Sequence, residues 1–298
     1  MNSFRTLILA ASAALALAAP AASAKVVSAD VAVAPQYDTT HVYVAPEDFD
    51  RFVASVIATF GGKTSPQGVF TVTPTPSLTM SQLILTPVGS ISVFGFKTPI
   101  PYPFGAERTG YLVTDMDKAV AAARAVGADV LVDAFPDPIG RDAIVQWPGG
   151  VNMQLYWHTT PPAYAALQTV PENRVYLSPA QADRFVHDFV AFAKGKVVAD
   201  ERQAAGEAIG RPNSTFRRIH VESKFGRLTV FVTNGHLPWP YGRELTGYQV
   251  ADLDETLAKA KAAGATVLVQ PYSSDGRRAA FVQFPGGYIA EIHAVQAQ

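Results

Sequence analysis

The sequence predicts an α+β fold of four β-α-β-β-β modules, paired into two domains whose mixed sheets open as cups. Three observations predict it: an internal duplication, a repeated order of strand and helix patterns, and Pro- or Gly-rich turns between consecutive strands. The duplication matters most, because a repeat fixes the architecture and defines equivalent positions in the two halves. We therefore expect each half to contain the same two modules.

The duplication is visible directly in the sequence. Thr-Gly-Tyr-Leu-Val-Thr-Asp-Met-Asp at 109–117 corresponds to Thr-Gly-Tyr-Gln-Val-Ala-Asp-Leu-Asp at 246–254, an offset of 137 residues (254 − 117). The segment 145–150 corresponds to 282–287 at the same offset. Nearer the N-terminus the offset is 133 (183 − 50), so the second copy has four extra residues, which we place within 199–214.

The first 24 residues have the pattern of a secretory signal peptide. Arg5 precedes an apolar run at 7–19, and Ala-Ser-Ala at 22–24 has the spacing of a cleavage site. We expect cleavage after Ala24, an extended leader at 25–38, and a periplasmic or secreted protein. The alternative is an N-terminal membrane anchor. The chain contains no cysteine, so an oxidising compartment offers it no disulfides.

Composition narrows the classes of partner. The formal net charge is −1 and no run of basic residues occurs, which argues against a nucleic-acid-binding surface. No second apolar stretch is long enough to cross a bilayer. We therefore expect a soluble protein after signal removal, without nucleic-acid or membrane partners. A small molecule is the expected partner, and the sequence leaves homo-oligomerisation open.

The first domain is predicted at 39–158. In its first module, 39–100, a strand at 40–44 is followed by Pro46 and two acidic residues, which suit the first turn of a helix. Apolar residues then recur at helical spacing until two glycines at 61–62. Three strands follow, at 69–72, 81–85 and 91–96.

The second module, 106–158, repeats this order. A strand at 110–113 leads to Asp115, which begins a helix, and Gly127 is well placed to end it. The strands that follow are predicted at 130–132, 143–147 and 151–156. Asp117 and the corresponding pair Asp252 and Asp254 also lie at helix starts, where capping is the expected role.

The second domain is predicted at 173–298, after a proline-containing linker at 159–172. Its modules are expected at 173–236 and 243–298. Their helices are predicted at 182–193 and 254–263. Two such modules side by side form a curved sheet with helices on its convex face, and a concave face is the usual place for a ligand.

This organisation resembles the vicinal oxygen chelate (VOC) superfamily, which includes glyoxalase I, extradiol dioxygenases, fosfomycin-resistance enzymes and bleomycin-binding proteins. The resemblance spans the whole mature chain and is most specific at 111–117, at 147–150 and at their counterparts. It implies two glyoxalase-like domains with cup-shaped sheets. In the enzymes of this superfamily, a His on the first strand of each module and a closing Glu hold a divalent metal. Imidazole and carboxylate suit such metals.

Carried over by position, the resemblance implies an incomplete ligand set in the first domain. His41 occupies the first His position, Arg108 falls at about the second, and Gln154 stands where the closing Glu is expected. His41 is either a surviving ligand or general base, or a strand histidine bonded within the sheet. Arg108 and Gln154 remain candidates for binding a ligand in the cup.

The second domain departs from the ligand set in a different way. Arg174 replaces the first His, Leu245 the second, and Glu291 keeps the closing carboxylate. Arginine does not lose its proton to become a ligand, and it forms strong ion pairs with carboxylates. We therefore predict that Arg174 and Glu291 lie within hydrogen-bond distance. His293 shares the face of Glu291, so the two form either a metal or acid-base pair or a polar strand end.

Three further groups are open to two interpretations. His220 lies on an alternating strand and either binds a ligand or belongs to a solvated polar face. Two Pro-aromatic-Pro-aromatic-Gly loops either line the cup mouths, stacking on a planar ligand, or act as rigid connections. The loop aromatics of interest are Tyr102 and Phe104 in the first loop and Trp239 and Tyr241 in the second.

The expected function follows from the incomplete metal-ligand sets of the two domains. We favour an exported protein that binds a small molecule in a concave sheet, with no cofactor. If a divalent metal binds, its ligands come from His41, Glu291 and His293. The first alternative is a metal-dependent enzyme of the lyase or dioxygenase type, hence a lyase or an oxidoreductase. The second is a non-catalytic interaction module with filled cups.

Overall fold

A computed structural model describes residues 30–233, 244–274 and 276–296. The predicted signal peptide at 1–24, the first part of the leader at 25–29, and Trp239 and Tyr241 lie outside the described residues. Within the described ranges, no helix combines the length and the apolar character needed to cross a membrane.

The first half contains the predicted order of elements twice. Its first module consists of β1 (Thr39–Tyr43), α1 (Phe49–Phe60), β2 (Lys63–Thr64), β3 (Gly68–Phe70), β4 (Thr79–Thr86) and β5 (Gly89–Phe96). Its second module consists of β6 (Thr109–Leu112), α2 (Met116–Ala125), β7 (Asp129–Asp137), β8 (Gly140–Trp147) and β9 (Val151–His158). The strand predicted at 69–72 is found at 68–70, and a further short strand, β2, precedes it; Pro66, whose ring nitrogen cannot donate to a sheet, lies between the two.

The second half repeats these elements with one longer strand. Its first module consists of β10 (Glu172–Leu177), α3 (Pro179–Ala193), β11 (Lys196–Ala205), β12 (Thr215–Ser223) and β13 (Gly226–Val232). Its second module consists of β14 (Glu244–Gln249), α4 (Leu253–Ala262), β15 (Thr266–Ser274), β16 (Arg277–Gln283) and β17 (Ile289–Val295). The extra residues of this half lie between α3 and β12, where a short 3-10 helix (Gly206–Ile209) follows β11.

Each half forms one curved mixed sheet. The strand order is β2-β4-β5-β1-β6-β9-β8-β7 in the first, with β3 also on β4, and β11-β12-β13-β10-β14-β17-β16-β15 in the second. At the centre of each sheet, the first strands of the two modules pair antiparallel, whereas each first strand pairs parallel with the last strand of its own module. The predicted α+β class with two cup-shaped mixed sheets is confirmed.

The helix-covered faces of the two sheets pack against each other. One buried cluster joins α2 to α3, and another joins α1 to α4, so both cores contain residues from the two halves. The ring centroid of Tyr111 lies 4.4 Å from that of Phe225, and Trp147 meets Phe189 edge-on at 5.7 Å. Because the helices lie between the sheets, the other face of each sheet is left to form the cups.

Candidate functional site

The cup of the first sheet encloses a cavity of about 610 Å³. Side chains alternate along a strand, so Val42 is buried in the helix-side core while His41 and Tyr43 on either side of it face the cavity. The last strand of the second module, β9, contributes Gln154 and Tyr156 to the opposite part of the wall. The volume is within the range of small-molecule sites in proteins.

Much of the wall is aromatic. The rings of Tyr43 and Phe94 stack with centroids 5.2 Å apart, and Phe94 meets the imidazole of His41 edge-on at 5.4 Å. Phe104, from the first Pro-aromatic loop, meets Phe135 edge-on at 5.9 Å. Such rings offer a planar ligand both apolar area and defined stacking geometry.

Asp142 is a buried carboxyl group in this wall. Its side chain is 6 % exposed and lies against the side chain of Gln154. Burial raises the pKa of Asp142 well above its usual range, and the neighbouring charge of Asp137 raises it further. Burial thus favours the protonated form relative to a free aspartate, and a protonated Asp142 donates a hydrogen bond as well as accepting one.

His41 occupies the floor of the cavity beside a buried glutamate. Its imidazole is 2 % exposed, and its Nδ1 lies 3.7 Å from Oε1 of Glu107 without a hydrogen bond. Glu107 is completely buried and accepts a hydrogen bond from the hydroxyl of Tyr43. The imidazole lies over Gly110, where a Cβ atom would come within 2.3 Å of Nε2. Position 110 therefore accepts only glycine without displacing His41.

The first cup does not fit the metal that the fold implies. His41 has Ser92 opposite it on β5 and Gly110 beside it, and Gly110 pairs with Gln154 on β9. One imidazole, a hydroxyl and an amide are not the imidazole and carboxylate set that such metals prefer. Across the described ranges, no group of three or more His, Cys, Asp or Glu side chains could hold an ion.

Arg108 does not join His41 and Gln154 in the cup. Its Nη1 donates to the carbonyl oxygens of Gly105 and Glu107 at 2.7 and 2.9 Å, and its guanidinium lies 5.8 Å from the ring centre of Tyr43. The side chain lines a different cavity, between the two halves, together with Tyr102, which is 74 % exposed. Of the three candidates for the first cup, His41 and Gln154 therefore line the cup, whereas Arg108 lines the cavity between the halves.

In the second cup, a buried arginine occupies the centre. Nη2 of Arg174 lies 3.1 Å from Oε2 of Glu291, which confirms the predicted pair, and its Nε donates to Glu172 at 2.8 Å. Nδ1 of His293 lies 2.8 Å from the same Glu291 oxygen, and Arg277 lies 3.3 Å from Glu172. All of these groups except Arg277 are at least nine-tenths buried.

The charges in this cluster compensate each other. Burial alone would raise the pKa values of Glu172 and Glu291, but the adjacent Arg174 outweighs it and holds both below their usual range. A guanidinium therefore supplies the positive charge that a metal supplies in the enzymes of the superfamily. This site does not fit a divalent ion, because Arg174 would face it directly.

The second cup is also filled with side chains. Ala208 and Ile209 of the 3-10 helix pack against Phe231 and Phe281, and only about 20 Å³ remains beside Arg174. His220 is engaged as well: its Nδ1 lies 3.0 Å from Thr229 and its Nε2 3.5 Å from Glu201. Pairs at the 137-residue offset show larger residues in this half at two positions, Arg218 for Ser81 and Phe281 for Ile144, and a polar residue at a third, His220 for Leu83.

Two polar residues of the first site were missed in the sequence, Glu107 and Asp142. The repeat contains a signal for Asp142, because the equivalent position in the second half is Ala279 and the surrounding strand is apolar. A carboxylate that appears in only one of two equivalent core strands indicates a specific role for that strand. Glu107 has no such signal, since its counterpart, Glu244, is also a glutamate.

Solved structures with the same fold include three enzymes. A mutant of 4-hydroxymandelate synthase from Streptomyces coelicolor is 14% identical, with a TM-score of 0.58 over 89% of this chain and 94% of that chain. The Mn(II)-bound glyoxalase from Novosphingobium aromaticivorans is 12% identical, with a TM-score of 0.51 over 88% and 82%. A mutant of homoprotocatechuate 2,3-dioxygenase from Brevibacterium fuscum is 12% identical, with a TM-score of 0.52 over 89% and 71%.

These likenesses show the fold and confirm the predicted one: the chain has the vicinal oxygen chelate fold, duplicated in tandem. Identities this low do not transfer an activity, because one fold hosts many functions. No protein-family model matches the sequence, and no curated protein matches it.

Proposed function

We propose that this tandem vicinal oxygen chelate fold binds one planar, mainly apolar small molecule in the cup of its first sheet, without a metal. The observation that carries the proposal is the contrast between the two cups. The first has about 610 Å³ of space bounded by aromatic rings, whereas the second has about 20 Å³ around a buried arginine. With the second cup filled, the first is the cup that has room for a ligand.

The wall of the first cup indicates the chemistry of the ligand. Tyr43 and Phe94 offer ring faces, so the ligand has a flat apolar body. Asp142 and Gln154 supply hydrogen bonds from one side, so the ligand has an oxygen or nitrogen there. Because the neutral form of Asp142 is favoured, an uncharged hydroxyl or carbonyl group suits the site better than a cation.

Binding can be tested with 2-naphthol, a fluorescent planar molecule with one hydroxyl group. We expect saturable binding of one molecule per chain. Ser92 lines the cavity opposite His41, so Ser92→Phe should fill the space and weaken binding by at least about tenfold, or about 1.4 kcal/mol. Ser92→Ala is the matched control and should stay within about twofold, since it removes the hydroxyl without filling the cup. Equal affinities of the two variants would contradict the proposal.

A metal-dependent enzyme of the dioxygenase or lyase type is the second candidate. The fold of the Mn(II)-bound glyoxalase favours it, while the donor sets of both cups oppose it. Elemental analysis of the purified protein, with 2-naphthol titrations before and after dialysis against a chelator, separates the two. We expect unchanged affinity after dialysis. A stoichiometric divalent metal, or binding that is lost with the chelator, would favour the enzyme.

We also propose that the protein acts outside the cytoplasm. The support is the sequence alone: a basic start, an apolar run and a small-residue cleavage pattern ending at Ala24. Expression of the full chain in a bacterial host, followed by fractionation and N-terminal sequencing, tests this directly. The expected N-terminus is Lys25, and an uncleaved protein in the cytoplasmic or membrane fraction would contradict it.

A further inference from the structure

A second cavity, of about 670 Å³, lies between the two halves and is separate from both cups. The first half contributes Tyr43, Arg108 and Asn152 to its wall, and the second contributes Glu244 and Tyr288. The Pro-Gly-Gly turns of both halves border it as well, through glycines at 150, 286 and 287. Neither the fold comparison nor the first-cup proposal gives this cavity a role.

Glu244 is the chemically unusual residue of this cavity. It is 8 % exposed; its Oε2 accepts a hydrogen bond from the backbone N–H of Arg108 at 3.0 Å, and its Oε1 has no partner among the described residues. Burial raises the pKa of Glu244 to about 8, opposed by Arg108 and increased by the charge of Glu107. A buried carboxyl oxygen without a partner is costly, and a ligand that donates a hydrogen bond to it would remove that cost.

The charges around Glu244 are unbalanced. Glu107, its equivalent in the repeat, is also buried, and its own Oε2 has no hydrogen bond among the described residues. Arg108 is the one cationic side chain among the described residues of the wall, and its Nη1 is directed to backbone carbonyl oxygens. His41 faces Glu107 from the side of the first cup at 3.7 Å. Glu244 therefore has no ion-pair partner among the described residues of the wall.

The rest of the wall suits a small organic cation. Tyr43, Tyr102 and Tyr288 surround the space with aromatic rings, whose faces attract positive charge. Gln146 and Asn152 are hydrogen-bonded to each other at 2.8 Å and add amide groups to the wall. We propose that this cavity binds a small molecule that carries a protonated primary amine, with Glu244 as its counter-charge.

The proposal predicts a particular pH dependence. Protons compete with the ammonium group for Glu244, so affinity should rise with pH by about tenfold per unit until Glu244 is ionised at about pH 8. Benzylamine is a suitable probe because it joins a primary amine to one ring, and benzyl alcohol is its uncharged counterpart. Calorimetric titration of the mature chain at about pH 6 and about pH 8.5 should show tighter benzylamine binding at the higher pH.

Two variants assign the binding to this cavity. Glu244→Gln keeps an acceptor for the N–H of Arg108 but removes the charge, and it should weaken benzylamine binding at least about tenfold at pH 8.5. Glu222→Gln, the same change at an exposed strand residue outside both cavities, should leave it within about twofold. Unchanged binding by Glu244→Gln, equal binding of benzyl alcohol, or no saturable binding by the unmodified chain would each overturn the proposal. If Glu244→Gln does not fold, an affinity that is flat with pH overturns it.

Discussion

At the scale of single residues, the resemblance implied candidate residues for the two cups, but not how their charges are arranged. His41, Gln154, Arg174 and Glu291 were found by carrying over the ligand positions that the resemblance to the superfamily implies. The Arg174–Glu291 pair was predictable because opposite charges on one cup face have to be paired when buried. The position of Arg108 outside the cup was not predictable, because it depends on a hydrogen bond to a carbonyl group of the preceding loop.

The buried cluster around Arg174 gives a stability prediction. Arg174→Met leaves Glu172 and Glu291 without their main positive neighbour, and we expect a loss of about 3–5 kcal/mol in the free energy of unfolding at pH 7. The depressed pKa values of these carboxyls stabilise the protein above about pH 4.5, and this contribution falls as pH is lowered further. The deficit should therefore shrink between about pH 7 and about pH 3.5 in urea denaturation.

Arg124→Met is the control for this variant. Arg124 makes a 3.3 Å ion pair with Asp133, but both side chains are more than half exposed. Its loss should cost less than about 1 kcal/mol at any pH, because solvent screens an exposed pair. Similar costs for the two arginines would show that the second cup is not organised by its buried charges.

At the scale of elements, the sequence predicted helix starts better than ion pairs. Asp115 and Asp252 are the N-caps of α2 and α4, where they accept from backbone N–H groups at 3.0 and 2.9 Å. Asp117 and Asp254, also predicted as caps, instead pair with arginines on β8 and β16. Capping is a local interaction within three residues, whereas these pairs join positions 24 residues apart in the chain and need the sheet to be known.

The contributions of the N-cap Asp252 and of the ion pair of Asp254 to stability can be compared within the first turn of α4. Asp252→Ala removes the acceptor for the N–H of Glu255 and should cost about 1 kcal/mol. Asp254→Ala removes an exposed pair with Arg278 and should cost about 0.5 kcal/mol or less. Urea denaturation at neutral pH gives both values, and a larger cost for Asp254→Ala would reverse the assigned roles.

The segment between α3 and β12 also shows a limit of prediction at this scale. The four extra residues were located within 199–214 from the change of offset, and the structure places the longer β11 and a 3-10 helix there. Their role in filling the second cup was not predictable. It depends on Ala208 and Ile209 meeting Phe231 and Phe281, which lie on other strands.

At the scale of the whole molecule, the predicted domain boundaries remain a prediction, because the hydrophobic cores do not follow them. Each core combines a module of the first half with one of the second. The repeat predicted four modules and two sheets, since each module carries its own pattern of apolar residues. The pairing of the helix-covered faces depends on their three-dimensional shapes. The pattern of apolar residues along the sequence does not specify those shapes.

The shared cores predict that the two halves unfold together. Phe225 of the second half is 3 % exposed and stacks on Tyr111 of the first, so Phe225→Ala should cost about 3–5 kcal/mol. Circular dichroism and tryptophan fluorescence should report one coincident transition in both proteins. Ile139→Ala, at a residue 58 % exposed, is the control and should change stability by less than about 1 kcal/mol. Two separate transitions in the unmodified chain would contradict the prediction.

Tyr43 belongs to the walls of both the first cup and the cavity between the halves. Its hydroxyl is held by Glu107, which also faces His41 and raises the pKa of Glu244. A ligand that moves the Tyr43 ring in one of these cavities would also change the shape of the other cavity. Thermodynamic linkage is reciprocal. If a ligand in the first cup changes the affinity of a ligand in the other cavity by some factor, the second ligand changes the affinity of the first by the same factor. Binding in the first cup and binding in the cavity between the halves would therefore be coupled if either ligand moves the ring of Tyr43.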